Sequence, residues 1–200
     1  MNDLEINTLH NVLKKSINTN ERHLMTLFSI AIQTKSKKIL ELGVRDGHSS
    51  DALSLAASLL EGSLTSVDIN PTPWKCPTFL SNYKFIQSDS LLFLKECAQL
   101  QRKFDFIFVD DWHSYEHVKS EIELIDKISD FNTTIALHDL MHPSTTPYYF
   151  SPTSTFGDEW ANGGPFRALN ELNNQRWEWA TIPDYSGLTL LRKRSPAKSI

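Results

Sequence analysis

The sequence predicts an α/β fold: a mostly parallel seven-stranded sheet with a terminal antiparallel pair and helices on both faces. Three observations predict it. Short apolar runs alternate with stretches of helical periodicity from residue 37 onward, the order that builds strand–helix–strand units around a parallel sheet. Two of the runs, KKILELGV (37–44) and FDFIFVD (104–110), are apolar on consecutive residues, as expected of strands covered on both faces. Polar clusters close the runs at Glu41–Gly47, Asp68, Asp89, Asp110–His113 and His138–Asp139. Parallel strands place all their C-terminal ends on one edge, where such sheets bind ligands.

Residues 3–15 carry Leu4, Ile6, Leu9, Val12 and Leu13 on a rough helical face. A second helix follows, with Leu24, Leu27, Phe28 and Ala31 on one side and Asn20 as its expected cap. The strand 37–44 then leads into an alanine- and leucine-rich helix over 49–60, with Ser49 or Ser50 near its start. Strands are expected at 63–69 and 83–89, a helix at 90–100, and the most strand-like run at 104–110. Val118, Ile122, Ile125 and Ile128 recur at helical spacing in 115–128, and 133–139 reads as the fifth strand. Residues 140–163 are rich in Pro, Ser, Thr and aromatics. An irregular stretch this long inside a domain is expected to act as a lid over an acceptor pocket, offering Tyr148, Tyr149, Phe150 and Trp160 to a ring or burying them in its own core. A helix at 164–174, with Pro165 in its first turn, precedes an antiparallel pair of strands at 176–183 and 187–193 joined through DYSG.

A chain of 200 residues suits one domain and buries a core without staples. The expected organisation is an N-terminal helical extension over 1–35, whose helices offer a face for a homodimer, and a main domain over 36–195. A net charge of −4 argues against nucleic-acid partners, which require a basic face. Cys76 and Cys97 belong to no metal-type spacing. The N-terminus lacks a signal-peptide pattern, and no apolar stretch approaches the ~20 residues that span a bilayer. The expectation is a cytoplasmic protein with a small-molecule partner and no membrane association.

The turn ELGVRDGHSS (41–50) joins a strand to a helix. Gly43 and Gly47 allow a sharp turn and close approach to a ligand, and the following helix N-terminus suits a small anion such as a carboxylate. The spacing is Gly-x-x-x-Gly, with Arg45 between, so a dinucleotide pyrophosphate is less well served. Asp68 ends the next strand, where a carboxylate can accept both hydroxyls of a ribose. Asp89 ends the third, where it could meet an adenine amino group.

The ordered set Glu41-Leu-Gly43-x-x-x-Gly47, Asp68, Ser88-Asp89 and Phe106-Ile-Phe-Val-Asp110 resembles the successive motifs of class I S-adenosylmethionine-dependent methyltransferases. The resemblance covers about residues 37–139 and implies a Rossmann-like fold, with S-adenosylmethionine held by Glu41, Gly43, Gly47, Asp68, Ser88 and Asp89. Within that superfamily FVDDWHSYEHVKSEI is similar to a subgroup with the pattern F-V-D-x-x-H-S-Y-E. It contains O-methyltransferases acting on macrolide sugars and cephalosporin-hydroxylase-like proteins. That likeness implies a divalent cation such as Mg²⁺ on Asp110 and Asp139 with His138, and His113 as general base working beside Asp110. Metal-dependent catechol-type relatives place Asp-Asn after the fifth strand; here Leu140 stands in the asparagine position.

The chemistry is coherent in its own right. An alcohol is a poor nucleophile while protonated, a cation lowers an oxygen's pKa, and a histidine titrates near neutrality. Plainer readings stand beside each assignment. Asp68 also reads as a turn residue, Asp89 as a helix cap, Glu41 as a structural carboxylate, His113 as a helix-start residue, and His138 as a packing residue. Asp111 is expected to face solvent or a hydrogen bond, and Trp112 to pack near the pocket. Two other function classes fit less well. One is a non-catalytic binding module. The other is a nicotinamide-dependent oxidoreductase using Tyr115 and Lys119, whose Tyr-x-x-x-Lys spacing falls after the fourth strand rather than the fifth.

Overall fold

A computed structural model describes residues 1–18, 22–140, 163–183 and 186–195. In chain order these form α1 (Asp3–Asn18), α2 (Leu24–Gln33), β1 (Lys38–Leu42), α3 (His48–Leu59), β2 (Ser63–Asp68), β3 (Tyr83–Gln87), α4 (Ser90–Gln99), β4 (Phe106–Val109), α5 (Tyr115–Ile128), β5 (Thr134–His138), α6 (Gly164–Asn170), β6 (Trp177–Ile182) and β7 (Leu188–Lys193). The strands make one sheet in the order β3-β2-β1-β4-β5-β7-β6. β1 to β5 are parallel, and β7 pairs antiparallel with both β5 and β6. Tyr148, Tyr149, Phe150 and Trp160, expected in a lid, lie outside the described residues.

The double-sided apolar runs become the two central strands. Along β4, Ile107 and Val109 enter one core with Phe93, Leu94, Val118, Ile122 and Ile125. Phe106 and Phe108 enter the other with Leu27, Ala31, Leu53, Ala56 and Ala57. β1 divides likewise, with Leu40 and Leu42 on one side and Ile39 on the other. A strand with side chains buried alternately on two faces has no polar side, which is why its sequence shows no alternation. α2 belongs to this second core through Leu27 and Ala31, and α1 adds Val12 against Leu24 and Ala52.

Helix starts follow local chemistry where a cap is present. Asp89 caps α4 by accepting from Leu92 N–H at 3.0 Å, and Ser114 caps α5 by accepting from His117 N–H at 3.3 Å. Asn20, the expected cap, lies outside the described residues. α2 begins at Leu24 behind His23, which makes no side-chain cap bond, because Leu24 and Leu27 set the start by packing into the body. Ser49 and Ser50 lie inside α3, whose cap position is Gly47 at φ +76°.

From β1 the chain goes through β2 to β3 on one side, and from β4 through β5 on the other. The order therefore reverses between β1 and β4, leaving a crevice at their C-terminal ends. Among the described residues, no helix is long and apolar enough to cross a membrane.

Candidate active site

A cleft of about 880 Å³ opens over that crevice. Gly43, Asp68, Ser88 and Asp89 line it, as do Asp110, His113, His138 and Asp139. Five segments distant in sequence therefore meet on one surface. Glu41 and Gly47, both expected to touch a cofactor, stand behind the wall.

Glu41 is fully buried in β1. Its carboxylate accepts from Ser49 Oγ (2.7 Å), Ser50 Oγ (2.8 Å) and Ser66 Oγ (2.6 Å), so it ties β1 to α3 and β2. Burial pushes its pKa up to about 7 even with three hydroxyl donors. In this geometry it builds the turn rather than lining the cleft. Gly43, at φ +86°, is required by close approach: a Cβ there would lie 2.1 Å from the carbonyl oxygen of Asp110. At Gly47 a Cβ would meet the Trp74 indole at the same distance.

Asp68 closes the turn from the neighbouring strand. Its Oδ2 accepts from Val44 N–H (2.8 Å) and Arg45 N–H (3.0 Å), and its Oδ1 from Asn70 N–H (2.8 Å). A carboxylate offers about four acceptor positions, so a diol binding here must share or displace a backbone donor. Asp89 is a helix cap that also lines the cleft.

The ends of β4 and β5 differ in character. His113 Nε2 lies 3.4 Å from Asp110 Oδ1 and 3.3 Å from Asp139 Oδ2. His138 Nδ1 lies 3.0 Å from Asp110 Oδ1 and 3.2 Å from Asp139 Oδ1. Asp139 reaches both imidazoles from a left-handed backbone, φ +61°, a conformation aspartate tolerates better than most residues. Burial alone would raise the Asp110 carboxyl; His138 and His113 beside it hold it well below the usual carboxylate range. Burial alone would lower His138, yet Asp110 and Asp139 push it up to about 9. Ser186 Oγ stands 3.4 Å from the other nitrogen of His138. Leu140, in the position where an asparagine ligand would stand, is buried instead.

A scan of protein families brings these residues into one frame. A model of the methyltransferase domain matches residues 40–140, just over half of the chain. The chain belongs to this methyltransferase-domain family. No curated protein matches it, but solved structures do. An O-methyltransferase from Bacillus cereus, in complex with SAH, is 16% identical at a TM-score of 0.65, over 94% of this chain and 91% of that one. The O-methyltransferase TomG from Streptomyces achromogenes, involved in tomaymycin synthesis and solved with SAM, is 15% identical at 0.64, over 98% and 91%. The MycE methyltransferase of the mycinamycin biosynthetic pathway, solved with Mg and SAH, is 15% identical at 0.61, over 90% of this chain and 51% of that one. At these identities the shared property is the fold, and it is the Rossmann-like methyltransferase fold that the ordered motifs imply.

Within this methyltransferase domain, three features escape the sequence reading. His23, from the start of α2, packs its ring on His138 with centroids 4.0 Å apart. Burial, and then the charge of His138, pushes its pKa down to about 3. Asp111, expected to face solvent or a hydrogen bond, takes the hydrogen bond, but to a partner the sequence reading does not name, His117 on α5 at 3.3 Å. His117 also faces the buried Glu121 one helical turn on. The spacing of Glu121, three residues after Val118 and four before Ile125, places it on the buried stripe, a signal available in the sequence. Tyr115 and Lys119 do not line the cleft; Tyr115 donates to Glu171 at the C-terminal end of α6 and accepts from Lys119.

Proposed function

We propose that this methyltransferase uses S-adenosylmethionine to methylate a hydroxyl oxygen of a small acceptor, a sugar or a natural-product intermediate, with His113 as general base. The observation carrying the reading is the shared cleft: the His113–Asp110–Asp139–His138 cluster stands on the same wall as Asp68, Ser88 and Asp89. The methionine portion of the cofactor would lie at the Gly43 turn, its ribose at Asp68, and its adenine at Ser88 and Asp89. The bound cofactor supplies an activated methyl group.

His113 takes the acceptor proton at Nε2. Asp110 and Asp139, facing that nitrogen, orient the ring and stabilise its protonated form. The same donors fit a divalent cation. The sets Asp110–His113–Asp139 and His23–Asp110–His138 each bring one ligand atom per residue within 4.8 Å of the others. Asp110, Asp139 and His138 would hold the ion, and it would lower the pKa of a bound acceptor hydroxyl. Two carboxylates suit Mg²⁺, while an imidazole beside them also admits manganese, iron or zinc. His138 is held in its protonated form by its two aspartates, so a cation would have to displace that proton. MycE, solved with Mg, SAH and mycinamycin VI, favours this acceptor class by analogy of fold.

Calorimetric titration with S-adenosylhomocysteine, with and without Mg²⁺, tests the reading. Micromolar binding, followed by methyl transfer to a hydroxylated acceptor panel, is expected. A chelator should slow that transfer and added Mg²⁺ should restore it. A folded protein that binds no S-adenosylhomocysteine overturns the proposal.

A further inference from the structure

We propose a second divalent-cation site, of zinc type, built from Asp111, His117 and Glu121 with Ser90 beside them. It is separate from the Asp110–Asp139 cluster and does not depend on the reaction proposed above. Asp110 and Asp111 are consecutive, yet their side chains diverge: the first meets His113 and His138, the second meets α5. His117 and Glu121 are four residues apart on α5, so they share one face.

Three oxygens converge on one ring nitrogen. From His117 Nε2, Asp111 Oδ2 lies at 3.3 Å, Glu121 Oε1 at 3.5 Å and Ser90 Oγ at 3.0 Å. An imidazole nitrogen carries at most one hydrogen, so hydrogen bonding cannot serve all three. The shortfall falls on Glu121. It is wholly inaccessible to solvent, and neither side-chain oxygen has a hydrogen-bond partner; Asp111 Oδ1 is buried in the same condition. A buried carboxylate whose nearest donor, His117, stands at 3.5 Å and is shared with Asp111 is among the more unfavourable groups a fold can contain. A cation between these atoms removes that penalty.

The spacing fits zinc. Bonds of about 2.0–2.1 Å in a tetrahedral array place neighbouring ligand atoms about 3.3 Å apart, which matches the separations of Asp111 and Glu121 from His117. One imidazole and two carboxylates are a donor set that zinc accepts. Ser90, Asp111 and His117 also line the cleft, so a fourth position is open to Ser90 or water. Such an ion would pin the starts of α4 and α5 to the end of β4. The rival is a network held by a proton: burial, with Asp111 close by, pushes Glu121 up to about 8, so a neutral Glu121 could satisfy the cluster.

The experiment uses the whole chain without a polyhistidine tag. A His138→Gln/Asp139→Asn protein, disabled at the other cluster, is titrated calorimetrically with Zn²⁺ alone. One equivalent should bind, and adding Glu121→Gln should weaken it at least about tenfold. Crystals of the unmodified protein grown with Zn²⁺ answer the question without any substitution. An anomalous peak at the zinc edge, within bonding distance of His117 Nε2 and Glu121, is expected. Absence of zinc binding, affinity indifferent to Glu121→Gln, or a peak confined to the Asp110–His138 cluster overturns the site.

Discussion

The two ends of the cleft solve different problems with different chemistry. At the β1–β2 end the two strand carboxylates, Glu41 and Asp68, are both spoken for. Glu41 is sealed under three serine hydroxyls, and Asp68 is occupied by three backbone amides. At the β4–β5 end ring nitrogens stand among several carboxylate oxygens at 3.0–3.4 Å. The first arrangement is rigid and preorganised, which suits recognition of a constant cofactor. The second keeps charge mobile among neighbours, which suits proton transfer. If the proposed roles hold, binding and reactivity are separated across one crevice, and substitutions at each end should report different quantities.

The largest effect is expected at the reactive end. His113→Ala should reduce turnover roughly 10²–10⁴-fold, the usual span for a general base, while calorimetric affinity for S-adenosylhomocysteine stays nearly intact. A variant retaining full activity would remove His113 from that role. Next comes Glu41, whose effect lies in stability. Its folded pKa of about 7 is raised above the unfolded value, so its favourable contribution is complete below about pH 4.5 and declines as pH rises through 7. Relative to Glu41→Gln, the native sequence should lose roughly 3 kcal/mol across that window, measurable by urea unfolding at several pH values. Parallel curves for the two proteins would mean that the serines keep Glu41 charged throughout.

Asp68→Ala should weaken cofactor affinity about tenfold or more and also loosen the Gly43 turn, since it removes the acceptor for Val44 and Arg45 N–H. Asp68→Asn separates these contributions by keeping one acceptor oxygen. Affinity unchanged in both would break the contrast between the two ends. The smallest effect is expected at Asp89. Its replacement by Ala removes the α4 cap, at about 1 kcal/mol, and a fall in cofactor affinity beyond that disturbance would sharpen its assignment to adenine.

How far the sequence discloses all this depends on the range of the interactions. α5 spans the expected 115–128 because both of its determinants are local: Ser114 caps it and Val118, Ile122, Ile125 and Ile128 set its face. The strand ends were legible because a buried run stops where polar residues begin. The start of α2 at Leu24 has no such local mark: His23 before it makes no side-chain cap bond, and Leu24 and Leu27 are buried. His23 was invisible because it reaches His138 across most of the domain, and no spacing rule links residues so distant. For Asp111 the expectation named solvent or a hydrogen bond; the hydrogen bond is what forms, to His117, a partner six residues on that strand alternation does not identify because past Val109 the backbone is no longer a strand. α6 ends at Asn170, short of the expected 174, where Arg167 and Glu171 form an exposed pair at its end.

Gly43 joins the two ends of the cleft. Its missing side chain lets the last residues of β1 press against the Asp110 carbonyl. Any larger residue would wedge β1 from β4 and tilt Asp110 away from both histidines as it opened the cofactor turn. The glycine turn and the Asp110 cluster, the proposed cofactor seat and proton-handling groups, are therefore keyed to each other like two gears on one shaft. A designer altering acceptor preference is free to work elsewhere around the rim, but a change at this single contact would disengage both ends together.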